Sequence, residues 1–75
     1  MPHVIVKLWP GKTKEQKEKL GDKIVQDVVD YLKCSEDSVS LVFEEIDSSD
    51  WAEAVYQPEI VKQWDKLHKK PGYTM

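Results

Sequence analysis

The chain has 75 residues, with eleven basic side chains that are all lysine, fourteen acids and a formal net charge of −3. That length supports one domain, spanning residues 1–75, and leaves a modest core, so assembly with further copies is the expected source of added burial. Interleaved charges leave no basic face for nucleic acid, the lone Cys34 excludes an internal disulfide, and no apolar run is long enough to span a membrane.

Met1 is followed by Pro2 and then by an apolar run from Val4 to Trp9. If Met1 is removed, Pro2 presents a secondary amine at the mouth of a strand. Desolvation disfavours the charged form of an amine and lowers its pKa toward neutrality, where a general base is most useful. The plainer reading is that proline is tolerated at the first position of a strand. His3 to Trp9 reads as that strand, with Val4, Val6 and Leu8 on one face and Ile5 and Trp9 on the other. Apolar residues on both faces mark a strand covered on both sides.

Pro10-Gly11 ends the strand. Gly11-Lys12-Thr13 follows a strand and opens a helix, as a phosphate-binding loop does, but that motif requires a glycine where this chain has Val6. A helix start beside Lys12 can still hold an anion, and the plain alternative is a solvated loop lysine. Thr13 and Gln16 stand at capping-box spacing, which predicts a helix from Lys14 to about Lys33. Leu20, Ile24, Val28 and Tyr31/Leu32 form its apolar stripe, widened by Val25 and Val29. Gly21 weakens it by about 1 kcal/mol relative to alanine and permits close approach to a strand.

Ser35 to Ser38 is a polar break, and Val39 to Ile46 a second strand, with Val39, Leu41 and Phe43 on one face and Ser40, Val42, Glu44 and Ile46 on the other. Strand, long helix, strand is a βαβ unit, which implies parallel strands and a right-handed crossover. One helix covers one face of the sheet, so the face bearing Ile5, Val42 and Ile46 is expected to pack against another subunit. Residues 47–50 form a turn, Trp51 to Val55 a short helical turn capped by Ser49 or Asp50, and Pro58 starts a second helix. Its apolar positions are Ile60, Val61, Trp64 and Leu67, and Asp65 and Lys69 stand at the spacing of a helical ion pair.

His3 and His68 lack metal-ligand spacing, Cys34 at a helix C-terminus is not an activated thiol, and Glu44 and Glu45 point to opposite faces. His3 adjoins Pro2 and either lines the same pocket or faces solvent. Trp51, among acids and serines after the second strand, is a candidate pocket wall, although tryptophan is more often core or interface.

In order, these pieces are a proline at position 2, an apolar strand, Gly-Lys-Thr-Lys-Glu-Gln-Lys, a long helix, Asp-Ser-Val-Ser-Leu-Val-Phe-Glu-Glu and an aromatic residue soon after. The pattern resembles the 4-oxalocrotonate tautomerase family over about residues 2–55, and the tail through Trp64 to Lys69-Lys70-Pro71-Gly72-Tyr73 is similar to the PptA-type subgroup. The resemblance implies an α/β fold: a small βαβ unit of two parallel strands with a long crossover helix, a short C-terminal helix and a tail. It implies a cofactor-free keto–enol tautomerase, built as a homo-oligomer with the dimer favoured over the hexamer, while the lone thiol and the lack of a signal-peptide pattern point to the cytoplasm. Pro2 would be the catalytic base and acid. Lys12 stands where many members have a carboxylate-binding arginine, Ser40 where the best-known members have a second arginine, and Trp51 where an aromatic lines the pocket. Without arginine there is no planar fork for a dicarboxylate, so a 2-keto acid with one carboxylate and an apolar or aryl tail fits better. The alternatives are a hydratase or dehalogenase reaction at a protonated Pro2 and a non-enzymatic oligomeric binding protein.

Overall fold

A computed structural model describes residues 1–75, which form two compact units, Met1–Glu45 and Ile46–Met75. The first is a βαβ unit. Strand β1 (His3–Leu8) and strand β2 (Ser40–Glu45) are parallel, joined by helix α1 (Lys14–Leu32) and a 3₁₀ turn at Glu36–Ser38. The register pairs His3 with Ser40, Ile5 with Val42 and Lys7 with Glu44 on one face, and Val4 with Leu41 and Val6 with Phe43 on the other. Both strands are shorter than the expected His3–Trp9 and Val39–Ile46, because the ladder ends where Trp9 and Ile46 leave the pairing.

The chain turns out of β1 through Gly11, whose φ of 120° lies in the region that glycine tolerates best. The capping box forms as expected: the Gln16 amide donates to Thr13 Oγ1 at 3.0 Å and the Thr13 amide to Gln16 Oε1 at 2.9 Å. The helix ends one residue before the expected Lys33, which takes a left-handed conformation (φ 56°, ψ 50°) and so stops propagation. Gly21 is the one buried residue of α1, and it lies against the sheet: a methyl there would stand 3.2 Å from Leu41 Cδ2 and 3.3 Å from Phe43 Cε2. Ile24, Val25, Val28 and Val29 are half-buried, whereas Leu20, Tyr31 and Leu32 are exposed, so the buried stripe is narrower than the sequence spacing suggests. On the far face of the sheet Ile5 is 50% and Val42 40% exposed.

The second unit departs from expectation. Helix α2 (Ser48–Trp51) is preceded by Asp47 rather than capped by Ser49 or Asp50, and it runs without a break into a wider, π-helical stretch over Ala52–Val61. Pro58 therefore sits inside one continuous helical run instead of starting a second helix. In an ordinary helix the proline ring meets the carbonyl four residues back and removes one donor. Here the spacing widens, and the Lys62 amide donates to the Gln57 carbonyl, five residues back, at 3.2 Å. Val55 and Tyr56 are buried in this run. Trp64–Lys66 is only a 3₁₀ turn and Leu67 is extended, so Asp65 and Lys69 do not share a helix face, and Lys69 Nζ donates to the Lys70 carbonyl at 3.3 Å.

Candidate active site

Pro2 is half-buried immediately before β1, while Met1 is 99% exposed. The Ser40 amide donates to the Pro2 carbonyl at 3.1 Å, which extends the ladder one step beyond the strand and fixes the proline backbone. Removing a fully exposed methionine costs no packing and frees an amine whose residue is already anchored. The same serine carries a second link: Ser40 Oγ lies 2.6 Å from His3 Nδ1 across the first rung of the sheet. Pro2, His3 and Ser40 thus form one cluster at one end of the sheet. His3 was marked by sequence only through its adjacency to Pro2, and its pairing with Ser40 follows once the two strands are parallel and in this register.

Lys12 is not part of that cluster within one chain. It is exposed in the segment between the other end of β1 and α1, and it forms no ion pair there. With a rise of about 3.3 Å per residue, the length of β1 separates Pro2 from the Lys12 end by roughly 20 Å. At the helix start beside Lys12, the capping box already occupies the Thr13 and Gln16 amides, so fewer donors remain for an anion than a bare helix terminus offers.

Trp51 closes α2 and is half-buried. Its indole Nε1–H donates to the Tyr73 hydroxyl at 3.0 Å, and the Tyr73 ring lies 5.7 Å from that of the buried Tyr56, tilted by 36°. Tyr73 was legible only as tail; no periodicity links it to Trp51. Lys70 Nζ stands 5.7 Å from the Trp64 ring centre, within cation–π range. Cys34 is half-buried with Sγ 3.8 Å from the Val28 carbonyl, and His68 is exposed. No group of three His, Cys, Asp or Glu side chains converges to hold a metal ion.

Comparison with known proteins bears on this arrangement. A family model described as "Tautomerase enzyme" matches residues 2–56, a span that includes Pro2, Lys12, Ser40 and Trp51. Tautomerase PptA of Cronobacter sakazakii is 38% identical over the full length of both chains. A probable tautomerase of Xylella fastidiosa is 36% identical, covering 97% of this chain and 89% of its own. Among solved structures, the crystal structure of YwhB, a homologue of 4-oxalocrotonate tautomerase, superposes with a TM-score of 0.60 at 35% identity, over 61% of this chain and 75% of the other. A 4-oxalocrotonate tautomerase isozyme structure from Methylibium petroleiphilum shares the fold at a TM-score of 0.63 and 22% identity, over 67% of this chain and 81% of the other. The chain belongs to the tautomerase family, with the βαβ fold of 4-oxalocrotonate tautomerase and kinship to the PptA-type members, and is an isomerase of the keto–enol class.

Proposed function

We propose that Pro2, freed by removal of Met1, is the general base and acid of a cofactor-free keto–enol tautomerisation of 2-keto acids. The preferred substrates carry one carboxylate and an apolar or aryl tail, as a phenylpyruvate-type enol does. The observation that carries this reading is the anchored, half-buried Pro2 beside a fully exposed Met1. The neutral proline nitrogen takes the enol hydroxyl proton, the C–O bond gains double-bond character, and the former alkene carbon receives a proton from the proline ammonium. One group that alternates between base and acid suffices for both steps. Trp51 lines the apolar side of the pocket in this reading, and Lys12 stabilises the developing enolate oxygen.

Because β1 holds Pro2 and Lys12 apart in one chain, the Lys12 that serves a given Pro2 belongs to a neighbouring copy. A homo-oligomer, with a dimer favoured, also suits the first unit on energetic grounds. Gly21 is its one buried residue, and Ile5 and Val42 stand half open to solvent. The 75 residues act as one tautomerase domain within that assembly, in the cytoplasm.

The test is ketonisation of an aryl pyruvate enol by processed protein, with intact mass showing loss of Met1. Pro2→Ala is expected to lower kcat/KM by about 10²–10⁴-fold, the usual contribution of a positioned acid–base group, with an unchanged circular dichroism spectrum. For the native protein kcat/KM should rise with pH through titration of the amine, since the neutral form reacts. Full activity in Pro2→Ala overturns the reading, and a rate that requires the charged amine redirects it to hydration or dehalogenation.

A further inference from the structure

The end of the sheet that carries Pro2 holds a polar pair with no charge opposed to it. His3 and Ser40 are register partners, with Nδ1 2.6 Å from Oγ, and both residues are exposed. Two rungs further along the same face, Lys7 and Glu44 offset each other at 3.9 Å, and between them lie Ile5 and Val42. Ser40 also holds Pro2 by its amide, so one serine ties together the two residues that follow Met1. Consecutive Cα atoms are about 3.8 Å apart, so His3 and Pro2 share one end of the sheet.

The chemistry of the pair sets what it offers. The Ser40 hydroxyl has no other protein partner, and when it donates to Nδ1 the imidazole proton sits on Nε2. A doubly protonated ring likewise carries a proton on Nε2. In these two states His3 presents an N–H donor at the Pro2 end of the sheet, in a chain that has no arginine to do so, whereas the neutral tautomer in which Nδ1–H donates to Ser40 Oγ leaves Nε2 an acceptor.

We propose that His3, with its ring held by Ser40, binds the carboxylate of the 2-keto acid at Pro2. The inference rests on the Pro2 reading above and deepens it: His3 is a substrate-binding residue supplied by the same chain as the proline, and Ser40 is its positioning residue. A 2-keto acid has its carboxylate carbon two bonds from the carbon that exchanges its proton, so a carboxylate on His3 leaves that carbon within reach of Pro2. A hydrogen bond to a charged group then contributes to ground-state and transition-state binding alike, which lowers KM and leaves kcat nearly unchanged.

The test separates binding from turnover. Long-range ¹H–¹⁵N spectra of the two imidazoles are recorded while 3-phenylpropanoate, an unreactive carboxylate with an aryl tail, is added to processed protein. The expected result is a protonated Nε2 on His3 that shifts to saturation, with His68 unmoved and no response to 3-phenylpropanol. Unmoved His3 signals, or an equal response to the alcohol, overturn the proposal whether or not Pro2 proves to be the base; activity of Pro2→Ala decides that separately. In kinetics, His3→Ala is expected to raise KM for the keto acid by about ten- to a hundredfold, the span for a hydrogen bond to a charged group, with kcat changed little. KM for the corresponding methyl ester should stay constant. Ser40→Ala should move KM in the same direction, Ser40→Thr should restore it, and the double alanine variant should be no worse than His3→Ala. Equal losses on acid and ester overturn the assignment.

Discussion

Gly21 shows how one missing side chain sets the distance between helix and sheet. A methyl at this position would lie 3.2 and 3.3 Å from the ends of Leu41 and Phe43, tighter than ordinary contact but against side-chain ends that can give way. Alanine would regain about 1 kcal/mol of helix propensity, and the crowding offsets it. Gly21→Ala is therefore expected to unfold within about 1 kcal/mol of the native protein. Gly21→Leu, which forces α1 off the sheet, should cost about 1–3 kcal/mol by overpacking. Urea unfolding of the three proteins at one concentration checks both, and a stable Gly21→Leu would mean that α1 and the sheet do not meet at this residue. The close approach was legible in the sequence, because a glycine within an apolar helical stripe has few other uses. The chemistry at residues 2 and 3 was legible in part. Pro2 stood out by position alone, whereas the His3–Ser40 pair needs the register between strands 37 residues apart, which local pattern does not contain.

At the scale of elements, α1 is set by its two ends. Thr13 and Gln16 satisfy each other's amides at the start, a pattern readable from a spacing of three residues. Thr13→Ala should cost about 1 kcal/mol of stability. At the other end Lys33 adopts a left-handed backbone, strained for a residue with a Cβ, so Lys33→Gly should stabilise by about 0.5–1 kcal/mol. Thermal unfolding with opposite shifts for the two variants is the expected outcome, and shifts of one sign would contradict the end-capping account. In the middle of α1, Lys23 Nζ donates to Asp27 Oδ1 at 2.6 Å. This hydrogen bond, reinforced by the charge of Asp27, holds the Lys23 ammonium above the usual lysine value of 10.5. A raised folded-state pKa stabilises the fold fully below the unfolded value, and the contribution disappears as pH rises through the titration of Lys23 itself. Following the Lys23 side chain by NMR to high pH should show a midpoint above 10.5 that falls in Asp27→Asn. An unchanged midpoint would remove the pair from the account. The second unit was the least legible element. Proline is a reliable stop only for a helix of ordinary pitch, and the widened turn over Ala52–Val61 accommodates Pro58 through a change in hydrogen-bond spacing that residue preferences do not encode.

At the scale of the whole molecule, chain direction decides where the candidate site residues fall. The sequence places Pro2 and Lys12 ten positions apart, close enough to suggest one pocket, but six of the intervening residues form β1 and carry the chain straight away from Pro2. A pocket that uses both must borrow Lys12 from another copy. This has a consequence that neither residue alone predicts. Pro2→Ala and Lys12→Ala homomers should each be poorly active, since every site in them lacks one group. If the chains are mixed from denaturant so that subunits exchange, each hybrid dimer contains one site with both groups lost and one site with both intact. Half of a random dimer population is hybrid, so the mixture should recover about a quarter of native activity. Recovery requires that the two groups come from different copies of an isologous assembly. A mixture that stays at the mean of its two parents would place Lys12 outside the reaction or within reach of its own Pro2. The first outcome would leave His3 and backbone amides as the groups that hold the anion, and the second would require the segment after β1 to fold back along the sheet.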